Sequence, residues 1–176
     1  MRTRIIHVNL LLLDANVIIS LHELGLWGKV TKNNPICVPS EVIREVNYYD
    51  DESGRHYLNL REQVGITIKE MSATAEEIAI LKNKLNPAER ENIDLGESEA
   101  LAILEKNTDM IFYTADEAAV KALVFLNIID RTASLEMLLK KSNLPFNKVH
   151  PKDSEQRFKV YIKKAQQMRI QGIGLR

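Results

Sequence analysis

The chain has 176 residues, 45% of them apolar and 27% charged, with 24 basic side chains balancing 24 acidic ones. That is enough for one well-buried domain of ordinary globular composition, and zero net charge selects neither a nucleic-acid nor a membrane partner. Cys37 is the only cysteine, so no intrachain disulfide can form. His7, His22, His56 and His150 show no zinc spacing, and no glycine-rich phosphate loop is present, which leaves carboxylates to carry any chemistry.

Residues 1–4 are basic, but the apolar run behind them meets His7 and Asn9 and ends at Asp14, so a signal peptide is not expected. No later stretch is long enough to span a bilayer, and a cytoplasmic protein with no membrane partner is expected. Residues 5–13 read as a strand of the kind covered on both faces in a parallel sheet. Val17, Ile18, Leu21, Leu24 and Trp27 recur at helical spacing, which predicts a helix ending near Gly28. Ile36-Cys37-Val38 is β-like. Pro39 then suits the first turn of a helix with apolar positions Val42, Ile43, Val46 and Tyr49.

Residues 50–63 are polar, with a loop at Asp50-Asp51-Glu52-Ser53-Gly54. Val64, Ile66 and Ile68 alternate as in a half-buried strand, and residues 75–85 predict a helix closed by Asn86-Pro87. Gly96 reads as a helix cap, with Glu97 and Glu99 in the first turn that follows. Residues 110–114 form a strand ending near Asp116, before a helix through Ala119, Val120, Leu123 and Val124. Residues 127–130 read as a last short strand and 135–139 as part of another helix. The alternation predicts an α/β fold with a central parallel sheet over 1–145. Residues 146–176 form a basic extension, helical over 154–170. From Lys148 onward eight basic residues face two acidic ones.

Asp14 and Asp116 each end an apolar strand and precede an apolar helix, where open parallel sheets bind ligands. With Glu41, Glu45, Glu97 and Glu99 on helix starts, they could hold Mg²⁺ or Mn²⁺, hard cations that prefer carboxylate oxygen. Leu-Leu-Asp-Ala-Asn-Val-Ile at 12–18, Val-Pro-Ser-Glu-Val-Ile-Arg-Glu-Val at 38–46, Gly-Glu-Ser-Glu-Ala-Leu-Ala at 96–102 and Tyr-Thr-Ala-Asp at 113–116 together resemble PIN-domain nucleases, in order and in spacing.

The resemblance implies a three-layer α/β/α fold and a divalent-metal-dependent endoribonuclease whose products end in 5′-phosphate and 3′-hydroxyl. It makes Asp14, Glu45 and Asp116 metal-binding and catalytic carboxylates, with the third position open between Glu97 and Glu99. Gly96 as cap puts Glu99 at the third helical residue and favours it slightly. Asn16 and Thr114 become supporting residues, Glu117 a further ligand beside Asp116, and Glu41 a lesser candidate. By family frequency the chain would be the toxin of a toxin–antitoxin pair, with RNA as substrate, an antitoxin or inhibitor protein as partner, and a homodimer as assembly. The rival expectation is a PIN-like module that binds RNA or protein without catalysis.

Overall fold

The computed structural model describes residues 10–174. Strand β1 (Leu10–Leu13) runs into Asp14, the N-cap of α1 (Ala15–Glu23); the first five positions of the expected strand lie outside the described residues. The helix expected to run through Trp27 is two helices. Gly25 takes φ +65°, the left-handed position just past the α1 cap, and α2 (Trp27–Asn33) starts afresh, with Gly28 inside it. Strand β2 (Ile36–Pro39) leads into α3 (Ser40–Glu45), which stops short of Tyr49.

Tyr49 belongs instead to a hairpin, β3 (Tyr48–Asp51) and β4 (Gly54–Tyr57), in the polar stretch expected as loop. One face of the hairpin is held by a column of rings: His56, Tyr49, His22 and Trp27 stack in series, with centroids 4.8, 6.1 and 4.9 Å apart. After α4 (Leu60–Gln63), Gly65 at φ +80° turns the chain and leaves Ile66 81% exposed. The strand expected over 64–68 is therefore displaced to β5 (Ile68–Met71), which keeps only Ile68 of the alternating trio.

Next come α5 (Ala75–Lys84), α6 (Pro87–Glu91), α7 (Leu95–Lys106), β6 (Met110–Tyr113) and α8 (Glu117–Phe125). The last strand is not at 127–130. Asn127 is left-handed, Ile129–Arg131 make a 3₁₀ turn, and β7 (Thr132–Ala133) follows. Helices α9 (Leu135–Lys141) and α10 (Glu155–Ile170) complete the described chain. None of its helices is long and apolar enough to cross a membrane.

The five sheet strands are all parallel, in the order β5-β2-β1-β6-β7. Because side chains alternate along a strand, Leu11 and Leu13 enter one core with Val17, Val42 and Leu138, while Leu12 enters the other with Leu101, Phe112 and Leu123. Ile36 and Val38 divide from Cys37 in the same way. Helices α1, α2, α3 and α9 thus cover one face of the sheet, and α5, α7, α8 and α10 the other. This three-layer α/β/α arrangement explains the unbroken leucines of β1, which need apolar side chains on both faces. Helix α10 packs on α8 through buried Ala165, and Arg169 Nη1 donates to Val124 O at 3.0 Å.

The chain builds outward from β1 to β2 and β5, then crosses back to add β6 and β7 on the other side. The reversal falls between β1 and β6, whose ends pair as Leu13↔Tyr113. At such a point the loops leaving the two strands diverge to opposite faces and open a crevice at their carboxyl ends.

Candidate functional site

Asp14 and Asp116 both stand at this crevice. Asp14 is 4% exposed; its Oδ1 accepts from Ala15 N at 2.7 Å and its Oδ2 from Thr114 Oγ1 at 2.9 Å. Thr114, fully buried, accepts in turn from Asp116 N at 3.0 Å, so one hydroxyl ties the loop after β6 to the acid after β1. Asp116 Oδ1 caps α8, accepting from Ala118 N at 2.6 Å and Ala119 N at 3.1 Å. Capping explains one oxygen of each aspartate. It does not explain the burial of Asp14, because Asp116 caps α8 with the same kind of carboxylate while only half-buried.

The third acidic element corrects the expectation for Gly96. Asp94, not Gly96, caps α7: Asp94 Oδ1 accepts from Glu97 N at 2.8 Å, and Glu97 Oε2 accepts from Asp94 N at 3.2 Å. This reciprocal box places Glu97 at the third helical position and Glu99 two beyond it. Gly96 serves a different purpose. A Cβ built on it would lie 2.6 Å from Glu45 Oε1, so its bare backbone lets the Glu45 carboxylate of α3 lie against the start of α7.

These acids crowd one another. Burial, with the charges of Asp116 and Asp94, raises Asp14 to about 7 despite the opposing bonds from Thr114 and Ala15. Glu97 lies well above the usual carboxylate range, first from burial and then from the charges of Asp116, Asp94 and Asp14. Glu45, an exposed residue at the end of α3, is still raised, first by partial burial of its carboxyl and then by Asp94 and Glu41. Among the described residues no lysine or arginine forms an ion pair with Asp14, Glu45, Asp94, Glu97 or Asp116.

Other expected residues are placed elsewhere. Glu99 is just as buried as Asp14, but its Oε2 accepts from Glu41 N at 2.8 Å and its Oε1 from Ala73 N at 3.3 Å. It ties the start of α3 to the segment after β5, and Glu97 rather than Glu99 joins the Asp14 group. Glu41 pairs with Arg44 at 2.5 Å. Glu117 turns to Lys121 at 2.8 Å and Lys164 at 2.6 Å, which hold its carboxyl below the usual range. Asn16 is exposed in the first turn of α1.

The member that sequence reasoning missed is Asp94. Its signal was available as Asp94-Leu95-Gly96-Glu97, the pattern of an acidic cap with glutamate three residues later. The all-oxygen donor set, with excess negative charge and no ion pair to a lysine or arginine among the described residues, suits a hard divalent ion such as Mg²⁺ or Mn²⁺. Among the described residues no three acid, histidine or cysteine side chains already converge on one point, so the fit is one of donor type and charge. Compared with known protein families, curated proteins and solved structures, the chain matches none.

Proposed function

We propose that this chain is a cytoplasmic, divalent-metal-dependent endoribonuclease of the PIN type, acting through Asp14, Glu45, Glu97 and Asp116. The observation that carries the reading is the crowding of uncompensated carboxylates at the switch point, where Asp14 and Glu97 are pushed to hold protons. Buried like charges destabilise a fold unless a ligand relieves them. A PIN-type toxin role, with RNA as substrate, an antitoxin or inhibitor protein as partner and a homodimer as assembly, belongs to the same proposal through the sequence resemblance.

Mg²⁺ or Mn²⁺, when bound, lowers the pKa of a water and neutralises charge on the phosphate. The residues do the rest. Asp14, Glu45, Glu97 and Asp116 would hold the ion, and because Asp14 and Glu97 would have to give up protons to do so, binding would strengthen as pH rises. Thr114 Oγ1 fixes the Asp14 carboxylate, and Gly96 leaves room for Glu45. In the hydrolysis the water oxygen bonds to phosphorus as the bond from phosphorus to the 3′-oxygen breaks; a carboxylate of the group accepts the proton of the water and solvent supplies one to the departing oxygen, leaving 5′-phosphate and 3′-hydroxyl ends.

The test incubates purified chain with single-stranded RNA, structured RNA and DNA in Mn²⁺, Mg²⁺ or EDTA, beside Asp14→Asn and Asp116→Asn. Metal-dependent RNA cleavage that both variants abolish is the expected result; equal cleavage by all three proteins overturns the assignment. One observation favours a non-catalytic RNA- or protein-binding module: backbone amides already occupy oxygens of Asp14, Glu97 and Asp116. That reading predicts no Mn²⁺-dependent rise in melting temperature and no cleavage in any metal.

A further inference from the structure

Arg157, Tyr161 and Lys164 are spaced i, i+4, i+7, which places them on one stripe of α10. The stripe meets the first turn of α8. Lys164 Nζ lies 2.6 Å from Glu117 Oε1, and Lys121 Nζ reaches the same oxygen at 2.8 Å. Two ammonium groups therefore share one carboxylate. Arg157 stands close enough to feel the charges of both Glu117 and Lys164. Among the described residues no carboxylate pairs with it. Its Nε donates to Tyr161 Oη at 3.0 Å, and its guanidinium lies 4.9 Å from the tyrosine ring centre.

Three cations against one anion leave this patch positive, and two of them, Arg157 and Lys164, are exposed. Lys159 and Lys140, by contrast, are balanced by two acids: Glu155 meets them at 2.6 and 2.9 Å, and Glu136 meets Lys140 at 2.8 Å. Position gives the surplus a purpose. Glu117 directly follows Asp116, so the patch begins at the rim of the acidic group. A polyanion approaching that group is repelled by it unless nearby cations hold its flanking phosphates. Arginine adds a planar fork that matches phosphate oxygens.

We propose that Arg157, Lys164 and Lys121 form a contact surface for the phosphate backbone of single-stranded RNA passing the acidic site. The inference rests on the nuclease reading for its substrate class, and on the cation stripe for its place. It adds to that reading a role for α10: the helix is a track for the strand as well as a cover for α8.

The experiment measures fluorescence anisotropy of a labelled 14-nucleotide single-stranded RNA with the full chain in EDTA, from 50 to 200 mM KCl. Each phosphate contact on a single strand contributes about 0.7 to the slope of log affinity against log salt. Arg157→Gln with Lys164→Gln should therefore lower that slope by about 1.4 and weaken binding at least about 10-fold at the lowest salt. Lys163→Gln, on another face of the same helix, is the control and should leave the slope near wild type. Circular dichroism melts confirm that each variant folds; should the double variant unfold, Arg157→Gln alone is read for a slope change of about 0.7. Equal slopes for the stripe and control variants, or no binding by wild type, overturn the surface. Cleavage in Mn²⁺ is scored separately. The expected slope change without cleavage upholds the surface and removes the nuclease reading, while cleavage with equal slopes does the reverse.

Discussion

Glu97 and Glu99 sit two residues apart on the first turns of α7, both almost fully buried, yet their surroundings are opposite. Glu99 spends both oxygens on backbone amides of other segments. Glu97 has one amide, Asp94 N, and is otherwise crowded by three aspartates. The contrast separates two uses of a buried acid. Where donors satisfy the carboxylate, its charge stabilises the fold; where other acids surround it, the fold holds it against its preference, and a ligand gains from that.

The largest expected break in the comparison is in catalysis. Asp14→Asn or Glu97→Gln should reduce Mn²⁺-dependent RNA cleavage by about 10²-fold or more, the scale on which one preorganised electrostatic group acts. Glu99→Ala should stay within a few-fold of wild type for cleavage. It should instead lose about 1–3 kcal/mol of stability in denaturant melts, because the amides of Glu41 and Ala73 lose their acceptor inside the protein. If Glu99→Ala silences cleavage while remaining as stable as wild type, the division between the two glutamates is wrong.

The next effect is one of pH. Asp14 holds its proton up to about 7 in the folded chain against 3.8 as its reference. Between those values the folded state binds the extra proton, so this contribution is full below about 3.8 and is lost as pH rises through about 7. Metal-free wild type should therefore lose up to about 1.4 kcal/mol per pH unit relative to Asp14→Asn across that window. His22, lowered by burial from 6.5 to about 4, acts in the opposite sense: its neutral form favours folding above 6.5, and this is lost as pH falls toward 4. Comparing melts of the two proteins cancels His22. Parallel stability curves would show that Asp14 is not held protonated.

The smallest expected effect on the fold sharpens the comparison most. Gly96→Ala should change stability by no more than about 1 kcal/mol, since alanine favours a helix and only the mobile end of Glu45 must move. Cleavage should nevertheless fall, because the Glu45 carboxylate is displaced from α7. Unchanged turnover and KM in Gly96→Ala would remove Glu45 from the site.

The sequence made the two aspartates legible because an apolar strand stopping at an acid is an abrupt local event. The parallel sheet was legible for the same reason, from strands that read as apolar runs. The acids of α3 and α7 were harder, since a helical glutamate looks alike in sequence whether it faces solvent, amides or other acids, and Glu45, expected at a helix start, is the last residue of α3. Asp94 was hidden by reading Gly96 as the cap, although the box pattern was present. The breaks at Gly25 and Gly65, and the hairpin of Tyr48–Asp51 and Gly54–Tyr57, depend on which rings and faces meet across the fold, as in the column from His56 to Trp27. No local periodicity encodes that choice.

The Thr114 hydroxyl has one proton, and its geometry commits that proton to Asp14 while its lone pair takes the Asp116 amide. A change of charge on Asp14 therefore reaches a backbone amide on a different loop through two consecutive hydrogen bonds, each polarising the next. In a nuclear magnetic resonance titration, the Asp116 amide shift should move with an apparent midpoint near 7, reporting the protonation of a residue 102 positions away in the chain. Thr114→Val should silence that signal.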